Sequence, residues 1–275
     1  MKVEYQNQRV LVTGASAGIG RELALQLAPH GLKSLILVAR REAELQQLAA
    51  EVQALDPQLS VHVFAADLTD PLQVEALLER VAQEVGAVDI LINNAGLGDY
   101  HLFEDSRWER TEQMLRLNIE ALTFLTHQLL PPMIALGRGA ILNVSSGLGF
   151  FFMPGMSVYA ATKHYVTAFS EALRIELRGT GVVVSQLCPG PVVTEFAEVA
   201  GNTRMMENAS GVVIDAAQCA REALQGFARG QAIIVPGALM RTLTLLGRAI
   251  PRPLLRLAFA GARQRLSTTE TGSRP

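Results

Sequence analysis

The chain has 275 residues, of which 49% are apolar and 18% charged, and a formal net charge of −2. That length suits one large domain or two small ones with room for a core, and the charge gives no general reason to expect nucleic-acid binding. Two distant cysteines, Cys188 and Cys219, and five scattered histidines argue against a disulfide framework or a metal site and fit a reducing compartment.

The first nine residues carry no apolar stretch, so a signal peptide is not expected. No run of eighteen apolar residues reads as a membrane span, and the expected location is cytoplasmic. Residues 9–13 form the first candidate strand and lead directly into a glycine-rich turn. Gly14, Gly18 and Gly20 allow close approach of a pyrophosphate to backbone N–H groups, including those of Ser16 and Ile19, where a helix pattern begins over 20–28. The same stretch, Gly14-Ala-Ser16-Ala-Gly18, also matches the nucleophile elbow of serine hydrolases. Here it follows the first strand, with no earlier loop to supply an oxyanion donor. None of His101, His127 or His164 has a convincing late-loop position to complete a triad.

The second strand, 34–39, ends in Ala39-Arg40-Arg41. An acid at this point would bind the ribose 2′-hydroxyl of NAD. Ala39 instead leaves room and Arg40 brings charge, which suits a 2′-phosphate and so NADP(H) over NAD(H). Exposed arginines at a helix start can also be merely solvated. Helix patterns over 42–55 and 71–84 flank a strand at 60–65 that runs on to Asp67-Leu68, and a further strand spans 88–93 before Asn94-Ala95-Gly96.

A long helix pattern, 111–130, contains Asn118, which could satisfy backbone groups in a bent helix. Strand 140–144 leads to Ser145-Ser146, and helix 158–178 carries Tyr159 and Lys163. A four-residue step places phenol and ammonium on one helix face. The phenol's reference pKa is about 10, and an adjacent cation lowers such a value by roughly 1–3 units, toward useful acid–base chemistry. A solvated helix face gives the same pair. Asn143-Val-Ser145 matches a glycosylation acceptor, but its place in a buried strand argues against modification. Strands 182–187 and 232–235 enclose Pro189–Thr194, a stretch over 195–214 that suggests a mobile flap, and a helix over 215–229. Short apolar strands alternating with amphipathic helices predict an α/β fold, a three-layer arrangement with about seven parallel strands and helices on both faces.

These motifs, in this order, resemble those of the short-chain dehydrogenase/reductase family over residues 8–237. Thr13-Gly-x-x-x-Gly-x-Gly20 resembles its cofactor turn, and Asn93-Asn-Ala-Gly96 its N-N-A-G motif, with Asn94 and Ala95 beside the cofactor. Ser146 stands thirteen positions before Tyr159, as that family's catalytic serine does, which favours it over Ser145. The resemblance implies one Rossmann domain over 1–237, followed by an extension over 238–275, and a homo-oligomer. It implies hydride transfer with a nicotinamide, Tyr159 as acid/base, Ser146 stabilising oxyanion charge, Lys163 lowering the tyrosine pKa and holding the ribose, and Asn118 anchoring a relay water. Asp67 and Leu68 would hold the adenine, and Pro189, Val192 and Thr194 would lie near the nicotinamide.

Substrate and tail are open at this level. Phe150, Phe151, Phe152, Phe196, Met205 and Met206 suggest a bulky apolar carbonyl or alcohol, though the same side chains could pack in the core or at a subunit interface. From residue 238 onward the chain is apolar and arginine-rich, which suits a membrane-surface helix, a pocket lid or a subunit contact. A dinucleotide-binding regulatory protein without turnover is the other alternative to an enzyme.

Overall fold

The computed structural model describes residues 1–201, 211–247 and 250–262. Asn202, Met205, Met206 and Asn208 of the expected flap, and Arg248, Arg263, Arg265 and Glu270 of the tail, lie outside the described residues.

Seven parallel strands form the central sheet: β1 (Arg9–Thr13), β2 (Ser34–Ala39), β3 (Ser60–Ala65), β4 (Ile90–Asn93), β5 (Gly139–Val144), β6 (Val182–Leu187) and β9 (Ile233–Ile234), in the spatial order 3-2-1-4-5-6-9. Side chains alternate between the two faces of a strand, and each face is covered by helices. Val10, Val12, Leu35 and Leu37 enter one core, packed by α1 (Gly18–Leu27), α2 (Glu42–Leu55) and the helix Ala216–Ala228. Leu11, Ile36, Leu91 and Ile141 enter the other, beneath α3 (Pro71–Glu84), α5 (Leu122–Ala135) and α6 (Ser157–Glu176). This double burial accounts for the unbroken apolar runs of β2 and β4. Chain order reverses between β1 and β4, so the loops at their carboxyl ends diverge and leave a crevice.

Differences from the sequence reading have local causes. The strand expected from residue 88 begins at Ile90, because Asp89 turns its carboxylate back onto the Arg9 amide at 3.0 Å. The strand expected over 232–235 shortens to Ile233–Ile234 at the sheet edge. The helix expected over 111–130 is longer and composite: α4 (Trp108–Leu115), a π-helical turn (Arg116–Ala121) and α5, which continues through Pro131 and Pro132. Those prolines leave the His127 and Gln128 carbonyls without helical donors, and both residues are exposed, so water can serve instead. Within 195–214, a short helix (Phe196–Val199) is formed, and Val192–Val193 (β7) pairs in parallel with Ile214–Asp215 (β8).

Candidate active site

The crevice opens into a cavity of about 780 Å³ that runs from the glycine turn to the tail helices Ala238–Gly247 and Arg252–Ala258. At its base the chain folds into a turn whose backbone angles and close contacts favour glycine. Gly14 and Gly18 adopt φ of 66° and 53°. A Cβ on Gly20 would collide with the Gly14 carbonyl oxygen and Asn94 Nδ2. Thr13 and Asn94 lock this turn to the end of β4. Thr13 Oγ1 accepts from the Asn94 and Ala95 amides, both at 3.0 Å, and Asn94 Nδ2 donates to the Thr13 carbonyl at 2.9 Å and the Gly14 carbonyl at 3.2 Å. Asn94 therefore acts as a brace for the glycine turn as well as lining the cavity.

Ser16, Ile19, Asp67, Leu68, Ala95, Pro189, Val192 and Thr194 all border the same cavity. Arg40 does too, and its neighbour Arg41 reaches further. The Arg41 guanidinium lies 3.4 Å from Ser16 Oγ and 3.0 Å from a Glu195 carboxylate oxygen, linking the end of β2, the glycine turn and the loop after β7. Arg41 was visible in the sequence but not assigned to the site; its position directly after Arg40 was the available signal. Ser16 has Arg41 as its side-chain partner and no histidine among the described residues, so the hydrolase elbow lacks a base.

At the other end of the crevice, β5 delivers Ser145 and Ser146 and α6 delivers Tyr159 and Lys163. Ser145 Oγ is directed into α6, at 3.0 Å from the Lys163 carbonyl and 2.8 Å from Thr167 Oγ1. Ser146 faces the cavity beside Tyr159, where its hydroxyl opposes the upward shift of the phenol. Its Oγ accepts from the Leu148 amide at 3.1 Å, which leaves the hydroxyl hydrogen for an oxygen in the cavity. Lys163 Nζ donates to the Val144 carbonyl at 2.9 Å and stands 5.7 Å from the Tyr159 ring centroid.

The direction of the tyrosine pKa differs from the sequence expectation. Burial pushes Tyr159 up to about 12, against a smaller opposing effect of the Ser146 hydroxyl. Burial also lowers Lys163 to about 8, with Cys188 acting in the opposite sense. Both shifts express the cost of charge in a dry site, and in this arrangement that cost outweighs any stabilisation of phenolate by the ammonium.

Asn118 sits in the π-helical turn, a local distortion that frequently marks functional positions. Its Oδ1 accepts from the Leu97 amide at 2.9 Å, while Nδ2 donates to the Leu97 carbonyl at 2.9 Å and to Thr162 Oγ1 at 3.0 Å. The side chain thus pins the loop after β4 to α6. Asn118 Oδ1 and Lys163 Nζ each lie 3.5 Å from the point a Gly96 Cβ would occupy, so they border one small space.

Phe196 covers Tyr159, with ring centroids 5.6 Å apart, and presses against Gly98, where a Cβ would meet the Phe196 ring. Phe151 and Phe152 also border the cavity. Tail residues Met240, Leu255 and Phe259 complete the apolar wall, which fits the pocket-lid reading of the tail among the three its sequence left open. Phe259 pairs with Phe152 at 6.0 Å between centroids.

Comparison with known proteins is consistent with this geometry. The profile described as short chain dehydrogenase matches residues 8–205. A human protein, dehydrogenase/reductase SDR family member 7, is 38% identical over 198 residues, 71% of this chain and 58% of that relative, so the match spans less than two thirds of its length. Among solved structures, a short-chain dehydrogenase from Sphingobium yanoikuyae in complex with NADPH superposes with a TM-score of 0.77 at 33% identity, over 95% of both chains. A bulky-bulky ketone specific alcohol dehydrogenase from Comamonas testosteroni superposes with a TM-score of 0.73 at 28% identity, over 95% of this chain and 94% of that one.

Proposed function

Because the chain belongs to the short-chain dehydrogenase/reductase family, we propose that it is an NADP-dependent oxidoreductase acting on a carbonyl or alcohol carbon of a bulky apolar substrate. Residues 1–237 are the catalytic and dinucleotide-binding domain in this reading. The observation that carries it is the meeting of Ser146, Tyr159 and Lys163 at one end of a cavity whose other end is a glycine cradle shaped for a pyrophosphate. The cradle fits a dinucleotide because side chains are excluded where backbone amides must approach the phosphates.

When bound, the nicotinamide supplies the hydride chemistry. The protein's own part is to hold a proton at the right oxygen. In reduction, the Tyr159 hydroxyl gives its proton to the substrate oxygen while Ser146 donates a hydrogen bond to that oxygen as charge develops. Lys163, anchored on Val144, has further N–H groups for the nicotinamide ribose. Asn118 and Lys163 border the space for a water that returns the proton. The apolar wall of Phe151, Phe152, Phe196, Met240, Leu255 and Phe259 supports a bulky substrate and limits water around the reacting atoms.

A panel of aliphatic, aromatic and sterol ketones, followed by loss of NADPH absorbance, tests the reading. Turnover of bulky apolar members supports it; tight NADPH binding without oxidation across the panel would leave the regulatory alternative.

The direction of the Tyr159 shift predicts a pH profile. With a pKa near 12, the hydroxyl stays protonated through neutral pH and reduction is insensitive to this group. Alcohol oxidation needs the phenolate, whose fraction grows about tenfold per pH unit below the pKa, so kcat/KM for oxidation should climb with that slope between about pH 6 and about pH 7.5, below the pKa of about 8 at which Lys163 loses its charge. A flat oxidation profile there overturns Tyr159 as a base with this raised pKa.

The cofactor preference rests on Arg40 and Arg41 beside Ala39, with no acid at the end of β2. Replacing Arg40 by Ala, with Arg41 left to hold the glycine turn, is expected to raise KM for NADPH by roughly 10- to 100-fold, as loss of a charge-assisted phosphate contact would. KM for NADH should change little. Equal losses with both cofactors would remove the 2′-phosphate assignment.

A further inference from the structure

The two tail helices present different sides to the cavity and to solvent. In Ala238–Gly247, Met240 lines the cavity, Thr244 is buried and Gly247 packs against Phe151, a stripe at helical spacing. One residue behind each of these stand Leu239, Leu243 and Leu246, all exposed, Leu246 at 65%. Arg252–Ala258 repeats the division: Leu255 and, just beyond the helix, Phe259 line the cavity, whereas Leu254 and Leu257 are 57% and 73% exposed. Of the eighteen large apolar side chains exposed among the described residues, seven fall between 239 and 257. Scattered exposed leucines need no explanation, but a concentration of this kind marks an interaction surface.

Charge identifies what the surface fits. From residue 238 to the end the sequence carries seven arginines and one acid, Glu270, in a chain whose net charge is −2. Arg252 and Arg256 are exposed and have no acidic partner among the described residues, while Arg241 shares Glu222 at 3.3 Å. An apolar face interleaved with arginine suits an anionic lipid surface, where leucines enter the acyl boundary and guanidinium groups remain at the headgroups. A two-fold contact with a second copy would instead bring two cationic faces together.

We propose that the outer face of these two helices docks on an anionic bilayer. This docking is independent of the enzymatic reading.

The test is co-sedimentation of the purified full chain with phosphatidylcholine vesicles, with and without phosphatidylglycerol. The protein is expected to pellet with the anionic vesicles and to be released by salt. Arg252→Ala with Arg256→Ala should lower partitioning roughly 25-fold, at about fivefold per arginine. Leu243→Ser with Leu246→Ser should lower it about tenfold or more. Both pairs should keep wild-type NADPH affinity, because none of the four side chains lines the cavity. Failure of the intact chain to pellet with anionic vesicles overturns the proposal. So does a leucine pair that leaves vesicle binding intact but converts an oligomer to a monomer, since the face would then belong to a second copy. Vesicle binding requires no turnover, so an inactive protein that still pellets would sink the enzymatic reading and leave the docking surface standing.

Discussion

Tyr159→Phe is expected to lower turnover by roughly 10²- to 10⁴-fold, the range assigned to a positioned acid–base group, while NADPH affinity changes by less than about threefold. The substitution is narrow. The ring lies in a buried cluster with Leu97, Met114 and Met156, and Phe preserves every one of those apolar contacts. What disappears is the hydroxyl and its interaction with Ser146. A neutral hydrogen bond contributes about 0.5–1.5 kcal/mol, so the fold survives and the loss falls on chemistry. Stopped-flow measurement of NADPH binding beside steady-state turnover separates the two effects. Near-normal turnover in this variant would end the assignment of Tyr159 as the proton-transfer group.

Gly20→Ala should produce the complementary defect. The new Cβ would enter the space of the Gly14 carbonyl and Asn94 Nδ2, and neither can retreat freely. The carbonyl is part of the turn, and the Asn94 amide is already bonded to the Thr13 and Gly14 carbonyls. Overpacking of this kind costs about 1–3 kcal/mol, equivalent to a fall in Tm of about 2–5 °C for a chain of this size. Because the turn must open to admit the methyl group, NADPH affinity is expected to fall at least about tenfold. Gly137→Ala is the control: its φ is 64°, but a Cβ there meets nothing within 4 Å and the site is remote from the cavity. It should carry the cost of the strained backbone without loss of NADPH binding. Unchanged binding in Gly20→Ala would show that the turn does not cradle the cofactor.

The two variants divide the cavity into a binding end and a reacting end, and the sequence showed these unequally. The binding end was legible because its constraints are local. A glycine pattern between a β run and an amphipathic run implies strand, turn and helix, whatever the turn later meets at Asn94, Arg41 and Thr194. The reacting end was legible as spacing, Ser146 to Tyr159 to Lys163, but not as electrostatics. A phenol and an ammonium one turn apart suggested a lowered tyrosine pKa. Burial of both residues, which no spacing reveals, sets the opposite direction. Asn118 shows the same limit: the sequence offered either a relay anchor or a helix-bend satisfier, and the structure gives it a bracing role between Leu97 and Thr162 beside the space near Lys163.

The chain by itself determined the parallel α/β layering, the glycine cradle and the order in which the reacting side chains are delivered, because each depends on short-range periodicity or on backbone conformations special to glycine. The tertiary structure decided which of two adjacent serines faces Tyr159, how Arg41 reaches the glycine turn, and that residues 240, 255 and 259 close a cavity begun more than two hundred positions earlier. Those outcomes depend on burial and on contacts between segments distant in sequence. They become defined only when the strand order reverses between β1 and β4 and the tail folds back across the crevice.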